Sequence, residues 1–197
     1  MNRLDELWSN VTDLEREMEA ELKAARRRWR YRLVAGRVRF AREVRQAHAR
    51  LKQGVPRYLR ESRIRNLLTA PIIYSLFVPI VILDAWITIY QWTCFPVYGI
   101  TLVSRSRYVI IDRHHLAYLN VIEKANCLFC SYANGVFAYV REVAGRTEQY
   151  WCPIRHARRV SGPHGQYRRF VDYGDANGYH RRLMSLRAEL KEDKPRP

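Results

Sequence analysis

Apolar positions recur in steps of three and four from the start of the chain: Leu4, Leu7, Val11, Leu14, Met18, Leu22, Ala25, Trp29, Leu33, Gly36, Phe40, Val44 and Ala47. This spacing predicts one long amphipathic helix, ended by the "KQGVP" of Lys52–Pro56. At 1.5 Å per residue it would reach roughly 70 Å. Such a helix cannot stand alone in water, so it must lie on a membrane, on a partner or on a copy of itself.

The pattern changes at Leu67. From there to Val103 the chain carries a single charge, Asp84. A bilayer core of roughly 30 Å needs about 20 apolar residues as helix, so a membrane helix is predicted from about Leu67 to Thr93, bent at Pro79. Trp86, Tyr90, Trp92 and Tyr98 gather in its second half, at the headgroup level aromatic rings favour. The run lies too far along the chain to be a secretory signal and is read as an anchor. A carboxylate inside a bilayer costs roughly 3 kcal/mol unless paired or protonated, which marks Asp84 as a candidate functional or interface residue.

Beyond the run, "VYGITLV" and "RYVIID" predict a short β-hairpin, and Asp112 is expected to cap a helix running to about Ser131. A second helix, about Val136 to Trp151, is expected after an "ANG" break. A third, Asp175 to about Glu192, precedes a frayed "DKPRP". The predicted fold is therefore mainly α. Residues 1–56 form an amphipathic helical arm, 57–103 a kinked transmembrane or re-entrant anchor, and 104–197 a small Cys/His-containing helical domain with a hairpin.

Of the 197 residues 48% are apolar, too many for a disordered chain, and the formal net charge is +16. The charge is unevenly placed. Residues 1–22 carry 2 basic against 7 acidic side chains, and residues 23–66 carry 16 against 2. The arginines Arg26, Arg27, Arg28, Arg30 and Arg32 of "RRRWRYR" are the expected contact for an anionic partner. Anionic lipid is the economical choice beside a membrane segment, and nucleic acid stacked on Trp29 and Tyr31 is the alternative. The acidic and basic stretches also suit antiparallel pairing of two copies. Basic residues are denser just before the apolar run than just after it, which predicts a cytoplasmic N-terminus. The side of the C-terminal domain stays open: a single span favours one side, the basic charge of both flanks the other.

The chain has four cysteines. Cys127, Cys130, Cys152 and His156 form C-x2-C, a gap of 21 residues, then C-x3-H. Two short ligand pairs across a spacer suit a Cys3His tetrahedron for zinc, with iron as the alternative. Against it, a helix between the pairs would hold them apart, and a disulfide or redox pair and buried thiols are the other readings. Glu123, Glu148, His114 and His115 lie in the same region, where pairing with Arg141, Arg146 and Arg155 is the simpler fate. No nucleophile-base arrangement, phosphate-cradling glycine loop or H-E-x-x-H motif occurs, and no catalytic residue is assigned.

The blocks "NCLFCSYANG" and "RTEQYWCPIRHARR" resemble those of a group of uncharacterised bacterial membrane proteins, over the stretch from the apolar run to about Asp175. The resemblance implies that the cysteine blocks belong together and places the chain in a bacterial inner membrane. It implies no activity. The expected function is a non-enzymatic, membrane-anchored, metal-binding accessory subunit or assembly factor of a membrane complex. An iron electron-transfer or thiol redox protein and a membrane-tethered nucleic-acid-binding protein are the alternatives.

Overall fold

The computed structural model describes residues 3–34 and 37–192; the stripe position Gly36 and the tail expected to fray lie outside the described residues. The protein is mainly helical, with one two-stranded sheet among the described residues. It divides into two compact units. One holds the residues up to Arg60 together with Asp112–Lys124, the other Glu61–Ile111 together with the residues from Ala125 onward.

In the first unit the long helix predicted to Ala47 does not form. Helix α1 (Arg3–Arg28) ends early, because Arg30 takes a left-handed backbone, φ 52°, and turns the chain into a hairpin. Strands β1 (Tyr31–Val34) and β2 (Arg37–Phe40) pair antiparallel, Tyr31 opposite Phe40 and Arg32 opposite Arg39. The sequence reason is visible in hindsight. "RYRLV" and "RVRF" alternate polar and apolar with period two, and the β-branched and aromatic residues among them suit a pleated ribbon. Helix α2 (Arg42–Arg50) follows, then α3 (Val55–Glu61). A chain of ring contacts, Tyr31 to Phe40 at 5.5 Å, Phe40 to His48 at 5.5 Å and His48 to Tyr118 at 5.3 Å, ties the hairpin and α2 to the 112–124 segment. On α1 the apolar residues Val11, Leu14, Met18 and Leu22 remain exposed.

In the second unit the apolar run becomes α4 (Ile64–Ser75) and α5 (Phe77–Tyr98), jointed at Leu76. The joint falls three residues before Pro79, whose missing N–H cannot bond the Ser75 carbonyl and so interrupts the helix there. Gly99, φ 69°, caps the end of α5, its N–H donating to the Pro96 carbonyl.

Helix α6 (Val121–Trp151) is one unbroken helix of 31 residues, where two were predicted. It starts at Asn120, not at Asp112, which instead precedes a single 3-10 turn, Arg113–His115. Asn120 and Glu123 make a reciprocal capping box: the Glu123 N–H donates to Asn120 Oδ1 at 3.0 Å and the Asn120 N–H to Glu123 Oε2 at 2.8 Å. Gly135, read as the break, is a contact point instead. A Cβ there would lie 2.7 Å from Val109 Cα and 2.8 Å from the Tyr108 carbonyl oxygen. The glycine lets the chain cross the helix at close range.

Contacts between α5 and α6 pair rising numbers with rising numbers: Phe77 with Tyr132, Thr88 with Tyr139, Tyr90 with Thr147 and Tyr98 with Tyr150. The helices therefore run in the same direction, and residues 99–111 travel back along them. That return segment is not the predicted β-hairpin. Its backbone is held by other elements, the Val103 N–H and carbonyl by the side chain of Gln91 and the Thr101 N–H by the Leu190 carbonyl of α7 (Ala176–Glu192). Phe95, Ile100, Val103, Tyr139, Val143 and Leu190 close the core around it. The "GPHGQYRRFVDYGD" stretch wraps the same unit, with Phe170 1% exposed and Gln166 donating to Glu142 at 2.8 Å.

Candidate functional site

The buried face of α5 carries a polar stripe, Asp84 and Gln91, aimed at the return segment. Arg105, on a 3-10 turn of that segment, grips the Asp84 carboxylate as a fork: Nε donates to Oδ1 at 2.8 Å and Nη2 to Oδ2 at 2.6 Å. The Tyr132 hydroxyl of α6 donates to Oδ2 at 2.8 Å, and the guanidinium lies 5.9 Å from the Tyr132 ring centre. Asp84 is 8% exposed, whereas the Arg105 side chain is 40% exposed and reaches the surface. One carboxylate thus joins α5, the return segment and α6.

Seven residues along α5, Gln91 Nε2 reaches the Tyr139 hydroxyl at 2.5 Å as well as the Val103 carbonyl at 3.2 Å. Bidentate charge-assisted bonds are the strong kind, and this arrangement is built to fix geometry.

The residues proposed for a metal centre are not brought together. Cys127 and Cys130 lie one helical turn apart within α6, and Cys152 follows its last residue, 22 positions beyond Cys130. At 1.5 Å per residue that is roughly 33 Å, so the Cys3His cage cannot close within one chain. His156 instead stacks on Tyr167 at 5.9 Å, and its backbone N–H donates to the Tyr167 hydroxyl at 2.8 Å. Among the described residues no three His, Cys, Asp or Glu side chains gather as a metal-binding group, and all four thiols are free.

Burial, then the nearby Glu148 carboxylate, raises the pKa of Cys152. Its alkylation by iodoacetamide at about pH 8 should be slower than that of free cysteine, because its thiolate fraction is lower. A rate equal to or above free cysteine, measured by mass spectrometry, contradicts this.

The neighbouring carboxylates have ordinary partners. Glu148 pairs with His164 at 2.9 Å, Glu142 with Arg146 at 2.9 Å and Asp172 with Arg155 at 2.7 Å. Of the five arginines proposed for an anionic partner, Arg26, Arg27, Arg30 and Arg32 line one cavity of about 350 Å³ with Tyr31, and Arg28 does not.

Sequence reasoning found Asp84 but missed Arg105, Tyr132 and Gln91. The available signal was that Arg105 is the first cation after a run holding one acid. No protein-family model, curated protein or solved structure matches the chain, so the resemblance of the cysteine blocks rests on those blocks alone.

Proposed function

We infer that the protein is a membrane-embedded accessory protein without catalytic chemistry, which crosses the bilayer once through α4 and α5. The observation that carries this reading is the bareness of the apolar helix. Across Ile64–Tyr98 only 11% of the most apolar 18-residue window is buried, whereas the core helix of a soluble protein would be mostly covered. The free face of α5 shows Val78, Ile82, Trp86, Ile89, Trp92 and Val97, with no charge among them. Hydrocarbon is the environment such a face suits, and the arginines at 57, 60, 63 and 65 suit anionic headgroups beside it.

The course of the chain favours a single span over the re-entrant arrangement. The return segment runs back along α5, but α6 then follows α5 in the same direction, and the Leu190 carbonyl accepts from the Thr101 N–H and the Leu186 carbonyl from Gln149, so α7 lies at the Tyr98 end of α5 and not at the Ile64 end where the chain enters. The return segment is not helical apart from Arg105–Arg107, and irregular backbone is tolerated at membrane depth only when protein covers it.

Two measurements test the reading. The protein should stay with the membrane pellet after carbonate extraction at about pH 11. With the four native cysteines replaced by serine, Asn10→Cys and Ser185→Cys, both at exposed positions, should react with a membrane-impermeant maleimide from opposite sides of the membrane. Release by carbonate rules out embedding, and labelling from the same side restores the re-entrant arrangement.

A further inference from the structure

We propose that the basic cavity of the first unit is a binding site for a phosphoryl group, carried either by a lipid headgroup or by a soluble phosphate ester. The cavity is distinct from the arginine cluster at the end of α1 and does not depend on α4 and α5 entering a bilayer. It encloses about 620 Å³ between β2, α2 and the 112–124 segment. Ligand sites for small molecules fall at roughly 300–1,000 Å³, so there is room for a phosphate and the group it esterifies.

Four cations line it from four places in the chain: Arg39 on β2, Arg45 on α2, Lys52 just beyond α2, and Lys124 in the first turn of α6. No carboxylate lines it. Among the described residues none of the four has a carboxylate partner, and the acids on the same elements, Glu43, Asp112 and Glu123, do not line the cavity. Glu43 faces Arg30 at 4.0 Å and Glu123 closes the capping box. Arg39, Arg45 and Lys52 are exposed, so their mutual repulsion is modest, and a phosphomonoester dianion supplies two charges at one point to draw all four inward.

One further observation points the same way. His114 also lines the cavity, and its Nδ1 is buried with no hydrogen-bond partner. A buried polar atom without a partner is costly, and a turn of the ring toward the cavity would give it a ligand oxygen as partner. The ring ladder from Tyr31 to Tyr118 holds the walls before any ligand arrives, so little ordering remains to oppose binding.

The test uses the full chain in neutral detergent micelles, titrated with inorganic phosphate and with glycerol 3-phosphate by calorimetry, and then with vesicles of neutral lipid doped with phosphatidic acid. Saturable binding is expected, weakened at least tenfold by R45Q with K124Q and largely restored by R45K with K124R. The pair R26Q with R28Q should leave it unchanged. Tighter binding to phosphatidic acid vesicles than to glycerol 3-phosphate identifies the lipid as source, and equal affinity identifies the soluble ester. Non-saturable binding, or equal loss from the two glutamine pairs, overturns the site in favour of a diffuse basic surface of the kind RNA would use. Because the phosphate titration involves no bilayer, its failure leaves the membrane reading standing, and release by carbonate leaves the phosphate site standing.

Discussion

Arg105→Met is expected to lower stability by about 3 kcal/mol, read as a fall of roughly 6–12 °C in the melting temperature in detergent. The cost arises from what is left behind. Asp84 is 8% exposed, and without the guanidinium its two oxygens retain only the Tyr132 hydroxyl. Removing one partner of a buried pair costs about 3–5 kcal/mol because the other charge stays uncompensated, and the 40% exposure of Arg105 places this pair at the low end. The double variant Asp84→Leu with Arg105→Met should recover most of the loss, since two apolar side chains leave no charge stranded. Arg105→Lys should fall between, keeping the charge but losing the fork. If Arg105→Met melts with the wild type, the pair holds nothing together, and Asp84 needs another explanation.

This pair also shows how far the sequence could be read. A single acid within 37 otherwise uncharged residues identified Asp84 as something that must be paired, because the penalty for leaving it alone depends only on local surroundings. Its partner was not legible, because Arg105 reaches it only through a return segment whose course is set by tertiary contacts. The apolar helix was visible for the same local reason, and its extent, Ile64–Tyr98, exceeds the predicted Leu67–Thr93 by one turn or so at each end.

The arm failed where two periodicities overlap. Trp29, Leu33, Gly36 and Phe40 fit a helical stripe, yet Tyr31, Leu33, Val38 and Phe40 fit two alternating strands, and the second pattern won. The four-ligand centre failed because spacing along a chain says nothing about direction. The buried positions Ala133, Val136, Tyr139, Val143, Arg146 and Gln149 continue at steps of three and four straight through the supposed break. Read as a stripe, they require one helix and separate the cysteines.

Gly135→Ala is the second substitution with a large expected effect, and its sign opposes the usual rule. Alanine in place of glycine inside a helix normally gains about 1 kcal/mol from propensity. Here the new methyl would meet Val109 Cα at 2.7 Å and the Tyr108 carbonyl oxygen at 2.8 Å, both backbone atoms that cannot rotate away. Overpacking against them costs typically 1–3 kcal/mol and more where the main chain must move, so a net loss of about 2 kcal/mol is expected. The neighbourhood makes the effect spread. Val109 packs with Ile80, Ala133 and Val136, and pushing the return segment outward also pulls Arg105 from Asp84. Gly145→Ala provides the comparison, because its methyl would meet the His164 ring at 2.6 Å, a side chain that can swing aside at the cost of its bond to Glu148. Gly145→Ala should therefore be rescued by His164→Ala, whereas no single side-chain truncation should rescue Gly135→Ala. A stabilised Gly135→Ala, measured by thermal unfolding, would mean that α6 breaks at the glycine after all, and the two-helix arrangement that could draw the cysteines together would return.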